Sequence, residues 1–538
     1  MARGYFKEAD AGLLWTSTRP DCRSDLGSYR GMLVKSENLC CAMLLTLVTL
    51  VGLATPATAE WRRADTPRFV VYSDGDTGQL RDAALQLELY ESALRLLHQL
   101  DPNGAPKHRI AIYLVGDHAA LTAVEPGLPD DVAGFYQATN DEIFALAVRE
   151  RRDQSTLLHE YAHHFMIGSF ATGFPSWFVE GYAEYFASAQ LQPRRMVIGE
   201  VNRGRGDWLA YGQWLPLQTI LTRRPFEFQD PKAVSMYYAQ SWLLTHWFLS
   251  NPARTPILYA YIDKLRTGMD PVEAMEAASG MTLAQLDRQQ REYARQRMAI
   301  KIITGDQFPQ PDVRVTTLSA AEDSLLLLSL KLSSTPEKDP ALLEEIRRRT
   351  APFPDDRFAQ LLLSRAELRQ GDKAVARSLL EQRLAASPDD VDVLRLLGET
   401  LWEQARDDPD GMALVRDSRR YLAKAYQIAP DDYRTLMLLA ETRQVAPNYP
   451  TDNDVETLLA GLELAPQVAT LRVMAAQARA RREEYDEAID LLQPLAASPH
   501  ASGATSMARH LIAQYRARLA GEEPATGSDA AAVEPAAE

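Results

Sequence analysis

The sequence of 538 residues predicts an α+β domain followed by an all-α region of repeated helix pairs. The first observation is that strand-like and helical patterns alternate between Trp61 and Val148. The second is that the chain beyond residue 317 has helical patterns almost throughout, with proline-ended phrases recurring every 33 to 42 residues. The third is a pair of helical patterns, around His159 and Glu180, that carries closely spaced histidines and glutamates.

Residues 1–59 have the pattern of a signal peptide. An apolar run from Leu39 to Leu53 precedes Ala57-Thr58-Ala59, a small-residue pattern that signal peptidase cuts after. The run is shorter than the roughly 20 residues of a spanning helix, so we expect cleavage after Ala59 and a periplasmic or extracellular protein. An uncleaved segment would instead anchor the protein in a membrane. Met32 would start a leader of ordinary length and is a candidate for the true start.

The composition argues against two kinds of site. The three cysteines, Cys22, Cys40 and Cys41, all precede Ala59, so the mature protein is expected to have no disulfide and no cysteine-based metal site. The net charge is −15 and the pI is near 5.2. No basic stripe alternates with aromatic residues, which argues against nucleic-acid binding.

Residues 60–307 are predicted to form the α+β domain. Its first elements are expected to be a strand, a long amphipathic helix, a second strand and a hairpin, at Arg68–Tyr72, Leu80–Leu100, Arg109–Val115 and Gly134–Val148. The hairpin would turn at Thr139-Asn140-Asp141. Its second arm, Ile143–Val148, lies just ahead of the first histidine.

The motif HEYAH at residues 159–163 places two histidines on one face of a helix. Each residue of a helix turns by about 100°, so His159 and His163 project in nearly the same direction and can reach one metal ion. Glu160 would lie near that ion without binding it, which suits a general base acting on metal-bound water. The adjacent His164 points away from His163, and we expect it to pack or to form a hydrogen bond.

A second helix is expected to supply the third ligand that a catalytic zinc site needs. It would begin near Pro175, because proline is well tolerated at a helix start. Glu180 and Glu184 lie on one face of this helix, so either could reach the metal in principle. Glu180 is the expected ligand, and Glu184 is expected to accept the outer N–H of a ligand imidazole. Gly181 is expected to let the two helices approach closely.

These two helices resemble those of the gluzincin metallopeptidases, the thermolysin-like class that combines a HExxH helix with a downstream glutamate ligand. More narrowly, the run Trp177 to Tyr185 resembles the W-x-x-E-G-x-A-E-Y helix of peptidase-MA-like families. The resemblance implies a mixed sheet whose edge lies over the HExxH helix, and a helical C-terminal lobe. It also implies a Zn²⁺ cofactor held by His159, His163 and Glu180.

The resemblance bears on three further features. In the gluzincin pattern an acidic residue, usually aspartate, follows four residues after the ligand glutamate, whereas this chain has the longer Glu184. Gluzincins often use a tyrosine from a later helix to hydrogen-bond the oxyanion. Tyr238 is the first candidate and Tyr237 the second, although a structural tyrosine fits both positions. Substrate backbone would pair with a sheet edge, a role for Ile143–Val148 unless that arm is an ordinary core strand.

The rest of the α+β domain is predicted to be mainly helical. Met196–Val201 fits a short strand. Arg203–Asp207 has the pattern of a flexible turn with two positive charges near the cleft. It could contact substrate, but a solvated loop is the better interpretation. Helices are expected at Tyr237–Leu249 and across Ile257–Met298.

Residues 308–317 are predicted to be a linker, because prolines cluster there, and residues 318–520 are predicted to form the repeats. Similar phrases close successive helix pairs at Pro388, Pro430, Pro466 and Pro499. This period resembles that of tetratricopeptide repeats, although most signature aromatics are missing. The resemblance implies a superhelix whose concave face binds a protein partner. Residues 521–538, rich in Ala, Pro and Glu, are expected to be a disordered tail.

The sequence therefore predicts a secreted or periplasmic zinc metallopeptidase that hydrolyses peptide bonds, with repeats that recruit a substrate or partner protein. Glu160 would activate the metal-bound water that attacks the peptide carbonyl. The alternative is a catalytically inactive peptidase-like scaffold whose repeats form a protein-binding module. The presence of Glu160 favours the enzyme, because loss of activity usually removes the base or a ligand first.

Overall fold

The computed structural model describes residues 60–522 except for 107, 131, 150–154, 171, 193, 305–307, 309–310 and 500–501. The predicted signal peptide, with Met32 and the three cysteines, lies outside the described residues, as do residues 523–538 of the predicted tail. The described part is mostly helical, with a small mixed sheet near its N-terminal end and helical repeats beyond. Among its helices, none has the length and hydrophobicity that crossing a bilayer would require.

The strands form two sheets. They are, in chain order, β1 (Arg62–Asp65), β2 (Phe69–Ser73), β3 (Ile110–Val115), β4 (Gly134–Ala138), β5 (Ile143–Val148), β6 (Gln190–Gln192), β7 (Arg195–Ile198), β8 (Lys301–Thr304) and β9 (Arg314–Thr317). The larger sheet has the order β4-β5-β3-β2-β1-β9, and the smaller one has the order β6-β7-β8. Strands β2, β3 and β5 are parallel, whereas β4, β1 and β9 are antiparallel to their neighbours.

The helices around the sheets confirm the predicted helical stretches. They are α1 (Thr77–Leu97), α2 (His118–Val124), α3 (Ser155–Ser169), α4 (Ser176–Ala187), α5 (Arg203–Tyr211), α6 (Leu217–Thr222), α7 (Pro231–Leu249), α8 (Thr255–Arg266), α9 (Pro271–Ser279) and α10 (Leu283–Tyr293). A single 3₁₀ turn lies at Pro225–Glu227. The short elements β1 and α2 were not predicted. Each is too brief to give a clear periodic pattern.

The large sheet is covered by helices on both faces. Because side chains alternate along a strand, Ala145 of β5 points to one face while Phe144 and Leu146 point to the other. Ala145 belongs to the core shared with α1 and α3. Phe144 and Leu146 pack with residues of α2 and with Leu326 and Leu330 from a helix beyond residue 317. Side chains from both halves of the chain therefore pack against the sheet.

The predicted hairpin is present, and of the two alternatives for Ile143–Val148 the structure has the ordinary core strand. β4 and β5 pair antiparallel, with Phe135 opposite Leu146. β5 also pairs in parallel with β3, so Ile143–Val148 is an interior strand. The edge of the sheet on this side is β4. Buried strands have continuous apolar runs, which is why the more hydrophobic arm lies inside.

The predicted linker at residues 308–317 is also wrong. Arg314–Thr317 forms β9, which pairs antiparallel with β1 so that Thr317 lies opposite Arg62. Phe308 and Val313 are buried in the main core. The prolines indicated a break in helical structure, but they do not prevent a short strand at a sheet edge.

The second half of the chain consists of helix pairs. The helices are α11 (Ala320–Ser334), α12 (Pro340–Thr350), α13 (Arg357–Gln370), α14 (Lys373–Ala386), α15 (Val391–Asp407), α16 (Met412–Ile428), α17 (Tyr433–Arg443), α18 (Asp452–Leu464), α19 (Ala469–Arg481), α20 (Tyr485–Ala496) and α21 (Gly503–Leu519). Helices α13 and α15 contact each other, as do α15 and α17, so the first helices of successive pairs form one layer. We call this layer the inner face of the repeats.

Local sequence explains where these helices begin and end. The closing prolines Pro388, Pro430, Pro466 and Pro499 all lie between the second helix of one pair and the first helix of the next. Aspartate side chains accept backbone N–H bonds at the starts of α12, α13, α14 and α15, from Asp339, Asp356, Asp372 and Asp390. Each such cap stabilises a helix by about 1 kcal/mol.

Candidate metal centre

The candidate site is built on α3 and α4, which pack against each other. Helix α3 buries the apolar side chains of Leu158, Ala162 and Phe165, which fixes its rotation about its axis. Helix α4 begins after Pro175, and all of its side chains except that of Val179 are buried. With both helices held in the core, their remaining polar side chains have defined positions.

Three of the predicted residues converge on one point. Nε2 of His159 lies 3.1 Å from Nε2 of His163. Oε2 of Glu180 lies 3.4 Å from Nε2 of His159 and 3.5 Å from Nε2 of His163. The three atoms therefore form a nearly equilateral triangle.

This triangle fits a zinc ion. Ligand atoms held about 2.0–2.1 Å from a tetrahedral zinc ion lie about 3.3–3.4 Å apart, close to the distances between these three atoms. The Glu180 carboxylate is fully buried, and the His163 side chain is 6% exposed. Burying a carboxylate is costly unless a cation or hydrogen bonds compensate for lost water. Two imidazoles and one carboxylate would hold the ion and leave a fourth position for water or substrate.

The second nitrogen of His159 faces Glu184. Oε1 of Glu184 lies 3.4 Å from Nδ1 of His159, as expected for the acceptor of the outer N–H. Burial lowers the pKa of His159, but the carboxylates of Glu180, Glu184 and Glu160 together raise it to about 9. Three carboxylates thus act on His159, and such a cluster of negative charge favours a cation.

Arg205 also lies at the site, a position that the sequence pattern did not predict. Its Nε and Nη2 donate to the two carboxylate oxygens of Glu184 at 2.8 and 2.6 Å. Its guanidinium also lies over the Tyr238 ring, 5.1 Å from the centroid. The prediction of a solvated turn at Arg203–Asp207 is wrong, because these residues form the first turns of α5. The two glycines suggested a loop, and only the packing of α5 against α7 shows that Arg205 faces the site.

The two candidate tyrosines have different surroundings. The Tyr238 ring centroid lies 6.4 Å from that of His159. Burial and the nearby Glu180 and Glu184 raise the pKa of Tyr238, so its hydroxyl stays protonated. Tyr237 is fully buried, its hydroxyl donates to the Arg223 carbonyl, and the Ser176 hydroxyl lies 3.1 Å from it. Tyr238 therefore faces the site, and Tyr237 has a structural role.

Helix α3, which carries Glu160, packs against β4. Glu160 is only partly buried. Tyr136 of β4 is partly buried, and its pKa is raised by burial, by Tyr433 and by Glu160. The Tyr136 hydroxyl lies 3.0 Å from Nδ1 of His164, four residues beyond Glu160 on α3. His164 thus makes the hydrogen bond expected of it.

Comparison with protein families gives two matches. A model of the tetratricopeptide repeat matches residues 357–400, which cover α13, α14 and the first part of α15. A model described as a protein of unknown function, DUF1570, matches residues 153–272. That range contains His159, Glu160, His163, Glu180, Glu184, Arg205 and Tyr238.

Comparison with individual proteins finds similarity among solved structures. No curated protein matches the sequence. The chain is similar to a thermophilic TPR protein from Thermus thermophilus, with 19% identity and a TM-score of 0.33. The alignment covers 36% of this chain and 99% of that one. The family match at residues 357–400 confirms that the C-terminal half contains tetratricopeptide repeats, a class that generally mediates protein–protein interactions.

Proposed function

We propose that this chain is a secreted or periplasmic zinc-dependent peptidase. The observation that carries the proposal is the triangle of Nε2 of His159, Nε2 of His163 and Oε2 of Glu180, whose sides are 3.1 to 3.5 Å. His159, His163 and Glu180 would hold the ion. When bound, zinc acts as a Lewis acid that lowers the pKa of water and polarises a carbonyl.

The remaining groups of the site suit peptide hydrolysis. Glu160 lies next to His159 in the chain without belonging to the triangle, so its carboxylate is available to take a proton from the attacking water. It can then deliver that proton to the departing amine. Tyr238, kept protonated by its surroundings, can donate a hydrogen bond to the developing oxyanion.

The substrate class follows from the sheet edge. β4 packs against α3, the helix that carries Glu160, and has no strand beyond it in the described part of the chain. An extended peptide can pair with such an edge through backbone hydrogen bonds that do not depend on sequence. We therefore propose peptides or unfolded protein segments as substrates.

The test combines metal analysis with a protease assay. The mature protein is purified, and its zinc content and its hydrolysis of unstructured peptides are measured for the wild type and for Glu160→Gln. Glu160→Gln should keep one zinc per chain and lose about 100-fold or more of kcat, since the amide cannot accept the proton. Glu273→Gln, an exposed change on α9, is the control and should behave as wild type.

The outcomes separate the two functional classes. Zinc binding together with hydrolysis that depends on Glu160 would support the peptidase. Zinc-loaded wild type without hydrolysis of any unstructured peptide would support the inactive scaffold. Wild-type protein that binds no zinc would refute the proposed site.

A further inference from the structure

The turn of the β4–β5 hairpin lies against the inner face of the repeats. Asp141, in the turn, forms an ion pair with Arg369 of α13, and its carboxylate lies 3.9 Å from Arg365 of the same helix. The Tyr433 hydroxyl of α17 lies 3.5 Å from the carbonyl of Thr139. Hairpin and helices are thus joined by residues more than 200 positions apart in sequence.

The Asp141 contact is buried and electrostatic. The Asp141 residue is 8% exposed, and the Arg365 side chain is 16% exposed. Burial alone would raise the pKa of Asp141, but Arg369 and Arg365 lower it, so the carboxylate stays charged. A buried charge of this kind depends on its partners, because removing one leaves the other poorly compensated.

The hairpin occupies part of the surface that repeat proteins use for binding. Arg365 and Arg369 belong to α13 and Tyr433 to α17, and both helices lie on the inner face. A cavity of about 310 Å³ remains beside the turn, between residues 138–140 and the helices α15, α17, α19 and α21. The hairpin therefore takes the position that a peptide ligand has in other repeat arrays.

The same hairpin reaches the candidate site at its other end. β4 carries Tyr136, whose hydroxyl lies 3.0 Å from Nδ1 of His164 on α3, the helix that also carries Glu160. Between Tyr136 and the turn, Gln137 accepts a hydrogen bond from Ser334, the last residue of α11, at 2.6 Å. The repeat region thus contacts the hairpin at Gln137 of β4 and at the turn.

We infer that Arg369 and Arg365 are positioning residues for the proposed reaction. By holding Asp141, they fix the β4–β5 hairpin and so the edge strand that packs against α3, the helix that carries Glu160. The repeat region then acts as an internal clamp, because it holds the strand edge that binds substrate. It does so in addition to binding any partner protein. The inference rests on the proposed function, because it assigns β4 to substrate binding.

The test compares two arginine changes in the repeats of the full-length protein. Arg369→Gln removes the charge that faces the hairpin. Arg347→Gln is the matched control, since Arg347 pairs with the buried Glu367 of α13 at 2.7 Å, within the repeats. Hydrogen exchange of residues 134–148 and steady-state kinetics on an unstructured peptide are measured for both, together with zinc content.

Arg369→Gln should speed amide exchange in the hairpin by roughly tenfold or more, because local opening becomes easier. Its kcat/KM should fall by about tenfold, mainly through a higher KM, since the edge would bind substrate less well. Zinc content should stay at the wild-type value. Asp141→Asn should give the same pattern, and Arg369→Lys, which keeps the charge, should recover most of the loss.

Three results would overturn the clamp: hairpin exchange unchanged in Arg369→Gln, an equal effect in Arg347→Gln, or no recovery in Arg369→Lys. A different set of results would show that the proposed function is wrong. In that case the wild type lacks zinc or activity, whereas the exchange difference between the two arginine variants persists.

Discussion

Glu180 and Glu184 have different proposed roles because their carboxylates reach different atoms of the two histidines. Glu180 reaches the Nε2 atoms of both histidines, whereas Glu184 reaches only Nδ1 of His159. The distance between the two residues along α4 explains this, since four residues shift a side chain by about one helical turn. Glu180 therefore belongs to the triangle with the two histidines, and Glu184 contacts His159 from its other side.

The two glutamates should respond differently to substitution. Glu180→Ala should abolish stoichiometric zinc, as His163→Ala should, because two protein ligands hold the ion poorly. Glu184→Ala should keep zinc but weaken its binding by about 10–100-fold, the usual cost of losing an outer partner. Zinc dissociation constants from chelator competition decide this. A larger loss for Glu184→Ala would show that the roles are reversed.

Arg205 should influence the metal through Glu184. Glu184 is one methylene longer than the aspartate usual in the gluzincin pattern, and its two hydrogen bonds to Arg205 hold the longer side chain in place. Arg205→Ala should therefore weaken zinc binding, by about 10-fold or more. Arg203→Ala, at an exposed position on the same helix, is the control and should leave the dissociation constant unchanged. Equal zinc affinity in the two variants would contradict this role.

At the scale of elements, Gly181 sets the spacing between α4 and α7. The expectation that it brings α3 and α4 together is wrong. A Cβ at this position would lie 2.7 Å from the carbonyl carbon of Ser241 and would also overlap Thr245, both on α7. Because α7 also carries Tyr238, this close approach places the Tyr238 ring near His159.

Gly181→Ala should therefore destabilise the protein. The added methyl group meets backbone atoms that cannot rotate away, and overpacking of this kind typically costs about 1–3 kcal/mol. Gly503→Ala is the control, since a Cβ at that helical position would have no neighbour within 4 Å. Urea denaturation of both variants measures the difference. A Gly181→Ala protein as stable as the wild type would mean that the helices separate without cost.

At the scale of the whole molecule, the two halves of the chain share one core. Residues of α17, α18 and α19 belong to the same buried cluster as α3 and α4. Leu326 and Leu330 of α11 cover the face of the sheet opposite α1 and α3. The α+β part therefore shares its hydrophobic core with helices of the repeats.

A chain that ends at Gln310 should for this reason fold poorly. It lacks β9, which pairs with β1, and α11, whose leucines cover the sheet. A chain that ends at residue 336 keeps both elements and serves as the comparison. Solubility and thermal unfolding of the two chains are measured, and the shorter one should aggregate. A soluble, cooperatively folded chain ending at Gln310 would show that β9 and α11 are dispensable.

Elements that depend on local spacing were predictable from the amino-acid sequence alone. The histidines of α3, the glutamates of α4, the hairpin and the repeat period all belong to this group, because neighbours along a helix or strand share a face. Glu160 and Tyr238 could be identified as candidates for the same reason, and their roles stay predictions.

Features that join distant segments became visible only in the folded chain. These include the edge position of β4, the pairing of β9 with β1, the contact of Arg205 with Glu184, and the contact of Arg369 with Asp141, 228 residues apart. No periodic pattern indicates such contacts, because each is fixed by how whole elements pack rather than by the residues next to it in the chain. The repeats were therefore predictable as repeats, while their contact with the hairpin was not.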